Sequence, residues 1–532
     1  MRLSPACRIL AELKSAVVSY LPTKDLVSMS TVSWNWRETV KTDARFAINA
    51  VFDPFNDNVA YEQQMIKMLH RLEYAQQYGF WIRVDFHALR PSSTAPPRAE
   101  WLRQVEFFLR CLILGLRRAI SRVVSLEVAL LSELWDTFTA VIEDRAPVLR
   151  ALRLSLPERQ QPIAASSIAI PIQIFSGGAP LLQSVDLAFF PIGSTRIPVF
   201  SRVTEVKLSI SNITFAHGSP ARISDVFPRA TNLDLDLIEA GICTPHVWGR
   251  LDITTGLSLK SLKCTFFANG IFKRVIAATP EDFLTIKTIV FDSVDPDELD
   301  TLFATCGQST APTLALRIAQ YFIYPEVNET QFMLRDTQSD HTRVFTTECD
   351  YTEDGADLQK LSRCAFATSI TKRLVHLAIE VDFIPHMLYA EGPQFPLFFI
   401  RLGKMPQLKT LEVHLRKNWT VWPVSAMALP GERLRARPSS TDRRMAAPKL
   451  EIVRLCAIGE TRKVSKSMVT RLTAALQLGN EDRKGKVTLE LHSTKGVSVK
   501  GLDSFAKVVR IDRLIAPDEL FNRYGRGSRE DD

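Results

Sequence analysis

The sequence predicts an α/β protein in which a small N-terminal helical module precedes a curved solenoid of parallel strands, with helices on the outer side. Three observations support this prediction. They are an amphipathic stretch in the first forty residues, a six-residue apolar pattern that returns from about residue 120, and a proline shortly before many copies of that pattern. The 532 residues are 46% hydrophobic and 23% charged, as in globular proteins that bury a core.

The N-terminal module is predicted to contain three short helices. Apolar residues recur every three to four positions along the first helix, which should end at Pro22. Asp25 suits the positive end of the second helix, and Val32, Trp36 and Val40 share one face of the third. A module this small is stable only if it buries its apolar surface against something else.

Two motifs of the module match a known family. Residues 20–26 read Tyr-Leu-Pro-Thr-Lys-Asp-Leu, and residues 32–37 read Val-Ser-Trp-Asn-Trp-Arg. The module, predicted over residues 1–48, resembles an F-box, although Ile9-Leu10 stands where F-boxes usually open with Leu-Pro. The resemblance implies docking on the Skp-type adaptor of a cullin–RING ubiquitin ligase, and a helical cap for the next domain is the alternative. By the resemblance, the residues that contact the adaptor are Leu13, Val17, Leu21, Pro22, Leu26, Val32 and Trp36.

The pattern apolar-x-x-apolar-x-apolar predicts the strands of the solenoid. Its copies begin at Val123, Leu149, Leu182, Val203, Ala230, Leu259, Ile286, Leu374, Leu408 and Leu450. The first seven copies lie 21 to 33 residues apart, close to the roughly 20–29 residues of a leucine-rich repeat. A proline two residues before five of these copies should end the preceding helix. One unit cannot bury its strand edge and helix face alone, so the units must stack.

These features favour irregular leucine-rich repeats over residues 122–515, with a doubly wound α/β domain as the alternative. An F-box followed by irregular leucine-rich repeats is an arrangement similar to many fungal F-box proteins. Residues 49–121 are predicted to be a helical junction that caps the solenoid. Residues 429–446 are predicted to be an exposed insertion, and residues 516–532 a disordered tail.

A row of charged residues is predicted on the strand face that points away from the core, because side chains alternate along a strand. These middle residues are Arg153, Asp186, Lys207, Asp234, Lys263, Glu412 and Arg454. Their mixed signs suit a protein substrate with its own charge pattern. Nucleic acid would favour a uniformly basic row, and a net charge of +8 over the whole chain does not require one.

The sequence contains little sign of catalysis. It lacks phosphate-binding glycine loops and the Gly-x-Ser-x-Gly motif, and its nine histidines and eight cysteines are dispersed. No catalytic residue, metal ligand or cofactor is therefore predicted. Scattered cysteines, no signal peptide and no membrane-spanning stretch predict a cytoplasmic or nuclear protein.

The interpretation that joins these features is a non-catalytic substrate-recognition subunit of an SCF-type ubiquitin ligase. Its F-box would bind the Skp-type adaptor, and its repeats would bind a protein substrate. A leucine-rich-repeat scaffold without ligase function is the alternative.

Overall fold

The structure is a computed structural model, and the described residues fall into two compact units. The first unit comprises residues 1–260 and 273–278, and the second comprises residues 261–272 and 279–532. The described residues are 11–21, 25, 29, 32–42, 49–52, 66, 80–85, 98–130, 134–140, 142–156, 170–190, 195–211, 222–238, 253–266, 283–294, 312–322, 328–349, 368–380, 405–415, 449–457, 462–463, 486–492, 494–495 and 507–511. The predicted insertion at 429–446 and the predicted tail at 516–532 lie outside them.

Two helices of the N-terminal module pack around a small core. Helix α1 spans Ala11–Tyr20 and helix α2 spans Trp34–Thr42. Val18 of α1 packs with Trp36 and Val40 of α2, and the partly buried Leu21 and Met29 lie against this cluster. The core of the module is therefore built from one aromatic and a few aliphatic side chains.

Parallel strands form the sheet of the first unit, each paired with the next. They are β1 (Asn49–Phe52), β2 (Phe80–Asp85), β3 (Val123–Ala129), β4 (Ala151–Ser155), β5 (Ser184–Ala188), β6 (Glu205–Ser211) and β7 (Asn232–Ile238). Helix α3 (Arg98–Ala119) and the 3-10 turn Ile120–Arg122 lead into β3. The predicted helical junction thus contains one long helix, and it also contributes two strands.

The helices predicted between the strands are short, because the described connections after β3 contain only one or two turns of helix. They are α4 (Trp135–Thr139), α5 (Ile223–Val226) and the 3-10 helices Ile174–Gly177 and Pro198–Arg202. Large buried aromatic side chains pack against one another in these connections. Trp135 meets Phe190 edge-on at 4.9 Å, and Phe200 stacks on Phe227 at 5.1 Å between ring centroids.

Tight turns, rather than the ends of long helices, hold the prolines that precede the strands. The amide of Leu149 donates to the carbonyl of Ala146 at 3.1 Å, and the amide of Leu182 donates to that of Ala179 at 3.2 Å. The same bond recurs from Ala230 to Phe227 and from Leu408 to Met405. In each turn a proline occupies the second position, where its fixed φ is favourable. The proline therefore stabilises the turn from which the chain enters the strand.

The second unit also contains one large sheet, but it mixes parallel and antiparallel pairs. Its elements are β8 (Ser261–Phe266), β9 (Thr288–Asp292), β10 (Leu314–Phe322), β11 (Asn328–Asp336), β12 (Thr342–Cys349), α6 (Thr368–Thr371), β13 (Leu374–Glu380), β14 (Thr410–Leu415), β15 (Ile452–Ala457), β16 (Arg462–Lys463), β17 (Thr488–His492), β18 (Thr494–Lys495) and β19 (Lys507–Ile511). The order is β8-β9-β12-β11-β10-β13-β14-β15-β17-β19, and β16 pairs with β18 separately.

An antiparallel meander, β10–β12, is inserted between the parallel strands β9 and β13. One buried apolar row continues through it without a break. In register order the row is Cys264, Phe291, Phe345, Phe332, Ile318, Ile379, Val413, Leu455 and Leu491. The meander therefore extends the core of the repeat strands and does not form a separate one.

All ten predicted repeat copies lead into strands, so the α/β class is confirmed. Neighbouring strands of these copies pair in parallel, although the sheet of the second unit also contains antiparallel pairs. The strands begin up to two residues after each predicted start, and both later apolar positions of each copy are buried. Stacking of the units into a solenoid remains a prediction. Within the residues that the structure describes, no helix is both long and apolar enough to cross a membrane.

Candidate functional site

The N-terminal module exposes several large apolar side chains. Leu13, Val17 and Tyr20 follow one another on a single face of α1 at helical spacing, and all three are exposed. Val32, just before α2, is exposed as well, whereas Val18 on another face of α1 is buried in the core of the module. Because exposed apolar groups of this kind mark interaction sites, the module has a surface suited to a protein partner.

The predicted adaptor contacts divide into exposed and buried groups. Leu13, Val17 and Val32 are exposed, as a docking surface requires, and Leu13 keeps 56% of its accessible surface. Leu21 is partly buried against the core of the module, and Trp36 is 6% exposed within it. Trp36 therefore supports the surface from within the module. The remaining two predicted contacts, Pro22 and Leu26, lie outside the described residues.

The predicted charged residues of the first unit lie in one register row, in the order Arg153, Asp186, Lys207 and Asp234. Two charged residues that were not predicted, Arg83 and Glu127, extend this row across β2 and β3 into one ladder. The guanidinium of Arg153 lies 3.1 Å from a carboxylate oxygen of Glu127 and 3.1 Å from one of Asp186. Opposite charges on facing strand positions stabilise the pairing, although exposed pairs contribute less than about 1 kcal/mol each. Ion pairs thus link the first four members of the ladder, Arg83 to Asp186, whereas Lys207 lies 3.7 Å from Asp236, which is outside the ladder.

The pKa of Asp186, an acid of this ladder, is raised above its ordinary value. Burial raises the pKa of Asp186, and the nearby carboxylates of Asp234 and Asp236 raise it further. Arg153 and Lys207 lower it, but not enough to restore the ordinary value. A cationic group of a partner that approached Asp186 would therefore stabilise its charged form.

The predicted charged residues of the second unit behave differently. Lys263 is half-exposed and lies 3.5 Å from Asp292. Arg454 bridges two acids: its guanidinium lies 3.6 Å from Glu412 and donates to Glu490 at 2.7 Å. Glu412 is buried, which corrects the expectation of an outward-facing, solvated row at this position. Arg454 and two histidines surround its carboxylate and cover it.

Side chains that can bind a metal ion come together around Glu412, although the histidines are dispersed along the sequence and no metal ligand was predicted. Glu412, His414 and Cys456 are all buried, and a donor atom of each lies within 4.8 Å of those of the other two. His376 lies 3.8 Å from Glu412, and His492 bonds to Glu490 at 3.1 Å. One signal in the sequence could have revealed this group. His414, Cys456 and His492 occupy equivalent positions, because each directly follows the last core residue of its strand.

Comparison with known proteins identifies one domain. Residues 11–47 match the family model described as F-box domain. No curated protein matches the chain. The predicted F-box is therefore confirmed, and the match supports an F-box protein. F-box domains bind Skp-type adaptors, and F-box proteins are generally non-catalytic adaptors in substrate recognition by SCF ubiquitin ligases.

Proposed function

We propose that this chain is a substrate-recognition subunit of an SCF-type ubiquitin ligase. The N-terminal module docks on the Skp-type adaptor, and the strand units bind a protein substrate. The observation that supports this proposal most directly is the F-box match at residues 11–47, together with the exposed apolar face of α1 within it. The contribution of the chain is proximity, because holding a target beside the ligase raises its effective concentration there.

Substitution of Leu13 by aspartate is expected to weaken binding to a purified Skp-type adaptor by at least about 30-fold, the scale of an interface hot spot. The exposed side chain leaves the core of the module intact when it is replaced, but a charge at a desolvated contact is costly. Isothermal titration calorimetry with the full-length chain measures the affinity.

Leu114→Asp is the matched control, because Leu114 is a comparably exposed leucine on α3, outside the F-box match. Its affinity for the adaptor should stay within about twofold of the wild type. Failure of the wild-type chain to bind the adaptor, with a known F-box protein binding in parallel, would overturn the ligase assignment. A leucine-rich-repeat scaffold without ligase function would then be the better proposal.

The proposed substrate surface is the charged strand face, formed by Arg153, Asp186, Lys207 and Asp234 in the first unit. The alternation of signs in the ladder supports a partner with a complementary alternation, since matched charge patterns give specificity and faster association. Lys263 and Arg454 are proposed as substrate contacts of the second unit, whereas Glu412 is buried and acts only by positioning Arg454.

Reversal of the charge at Arg153, by Arg153→Glu, is expected to reduce recovery of a specific protein partner by about tenfold while leaving the adaptor bound. The measurement is quantitative mass spectrometry of proteins that co-purify with the tagged full-length chain. Arg150→Glu is the control, because Arg150 is exposed beside the same strand but lies outside the ladder. An identical set of partners for Arg153→Glu and the wild type would contradict binding at this row.

A further inference from the structure

Three side chains with metal-binding chemistry converge on one face of the sheet in the second unit. Glu412 and His414 are two residues apart on β14, so their side chains leave the same face of the strand. Cys456 on β15 is the register partner of His414. The donor atoms of the three lie within 4.8 Å of one another, so one ion fits between them.

The burial of this cluster leaves polar atoms in need of a partner. His414 contacts Glu412 through Nε2, while its Nδ1 is buried and has no hydrogen-bond partner among the residues described. His492 lies on the next strand, as the register partner of Cys456. Its Nδ1 atom is likewise buried and has no hydrogen-bond partner among the residues described. Buried imidazole nitrogens are normally satisfied by protein groups, by water or by a metal ion, because leaving them unpaired costs free energy.

The donor set selects the kind of ion. A thiolate, an imidazole and a carboxylate together suit zinc, whereas magnesium and calcium require oxygen ligands throughout. The charges also balance, since the thiolate of Cys456 and the carboxylate of Glu412 neutralise a divalent cation. The nearby cation Arg454 lies 3.6 Å from Glu412, but its shorter contact is to Glu490 at 2.7 Å, so Glu490 balances the charge of Arg454.

We propose that Glu412, His414 and Cys456 bind a zinc ion that links β14 to β15. On binding, the thiol of Cys456 releases its proton to solvent, the imidazole binds in its neutral form, and the carboxylate binds ionised. A water molecule completes the tetrahedral coordination that zinc prefers. Because the three ligands come from two neighbouring strands, the ion stabilises the sheet of the second unit.

Cobalt titration of the metal-free, full-length chain tests this proposal. Co²⁺ is expected to bind in a one-to-one ratio and to give the near-ultraviolet charge-transfer absorption of a cobalt–thiolate bond together with the visible bands of a tetrahedral ion. Zn²⁺ added afterwards should displace Co²⁺ and abolish both signals, because zinc binds such sites more tightly than cobalt.

Cys456→Ala is expected to abolish the charge-transfer absorption and to weaken Zn²⁺ binding by about 100-fold or more, because loss of a ligand should cost at least as much as loss of a residue that only supports a ligand. Cys264→Ala is the matched control, since Cys264 is another buried cysteine on a strand of the same unit, and it should keep both signals. Absence of cobalt–thiolate absorption in the wild type would overturn the proposal even if the variant failed to fold. Persistence of that absorption in Cys456→Ala would overturn it as well.

Discussion

Replacement of Phe291 by alanine is expected to lower the free energy of unfolding of the second unit by about 3–5 kcal/mol. The ring of Phe291 is fully buried on β9, stacks on Phe345 at 6.0 Å and meets Phe283 edge-on at 6.1 Å between centroids. Removing it deletes buried surface and leaves a cavity between Phe345, which is held on β12, and the buried Phe283, so collapse around the gap is limited.

Because of the position of Phe291 in the sheet, the Phe291→Ala substitution should destabilise strands other than β9 as well. Phe291 is the register partner of Phe345 on β12, which places it at the junction of the parallel strands and the inserted meander. Arg343 strengthens this junction, because its buried guanidinium donates to the carbonyl of Phe283 at 3.1 Å. Hydrogen exchange should therefore show faster opening in β9 and in β12 together.

Urea denaturation of the full-length chain, followed by far-ultraviolet circular dichroism, measures the loss. Phe107→Ala is the control, because Phe107 is an exposed phenylalanine on α3 and its truncation should change stability by no more than about 0.5 kcal/mol. A loss below about 1 kcal/mol for Phe291→Ala would contradict the packing described for this junction.

Strands β3–β7 could be predicted because each buries one face only. Copies such as the one that begins at Leu149 alternate apolar and charged residues, so the period is visible in the sequence. The meander was missed for the opposite reason. Ala315, Met333 and Val344 form a second buried cluster on the face opposite the main apolar row, so both faces of its strands are covered. Strands buried on both sides lose the alternation that identifies a repeat.

The candidate sites could be predicted only where a residue type is informative by itself. The F-box motif located the docking module, but it could not separate exposed Leu13 from buried Trp36, because both are apolar and the helix packing decides between them. The group around Glu412 was missed because Cys456, which completes it, lies 42 residues after His414 in the sequence. Strand register brings them together, and register is a property of the fold.

Replacement of Trp36 by alanine is expected to unfold the N-terminal module and so to abolish adaptor binding. Trp36 is the largest side chain of the cluster formed with Val18 and Val40. Truncation of a buried tryptophan costs about 3–5 kcal/mol, which is as much as the core of so small a module supplies. Limited proteolysis of the full-length chain should detect new cleavage within residues 11–42, while adaptor binding falls below detection.

Leu13→Asp separates the two ways in which binding can be lost. That variant should lose affinity for the adaptor with residues 11–42 still protected from protease, because Leu13 lies on the exposed face of α1. Trp36→Ala should lose affinity and protection together, since its side chain belongs to the core. A protease-resistant Trp36→Ala variant that no longer bound the adaptor would show instead that Trp36 contacts the adaptor directly. The role that the F-box resemblance implied for Trp36 would then hold, and the burial of its ring would change when the complex forms.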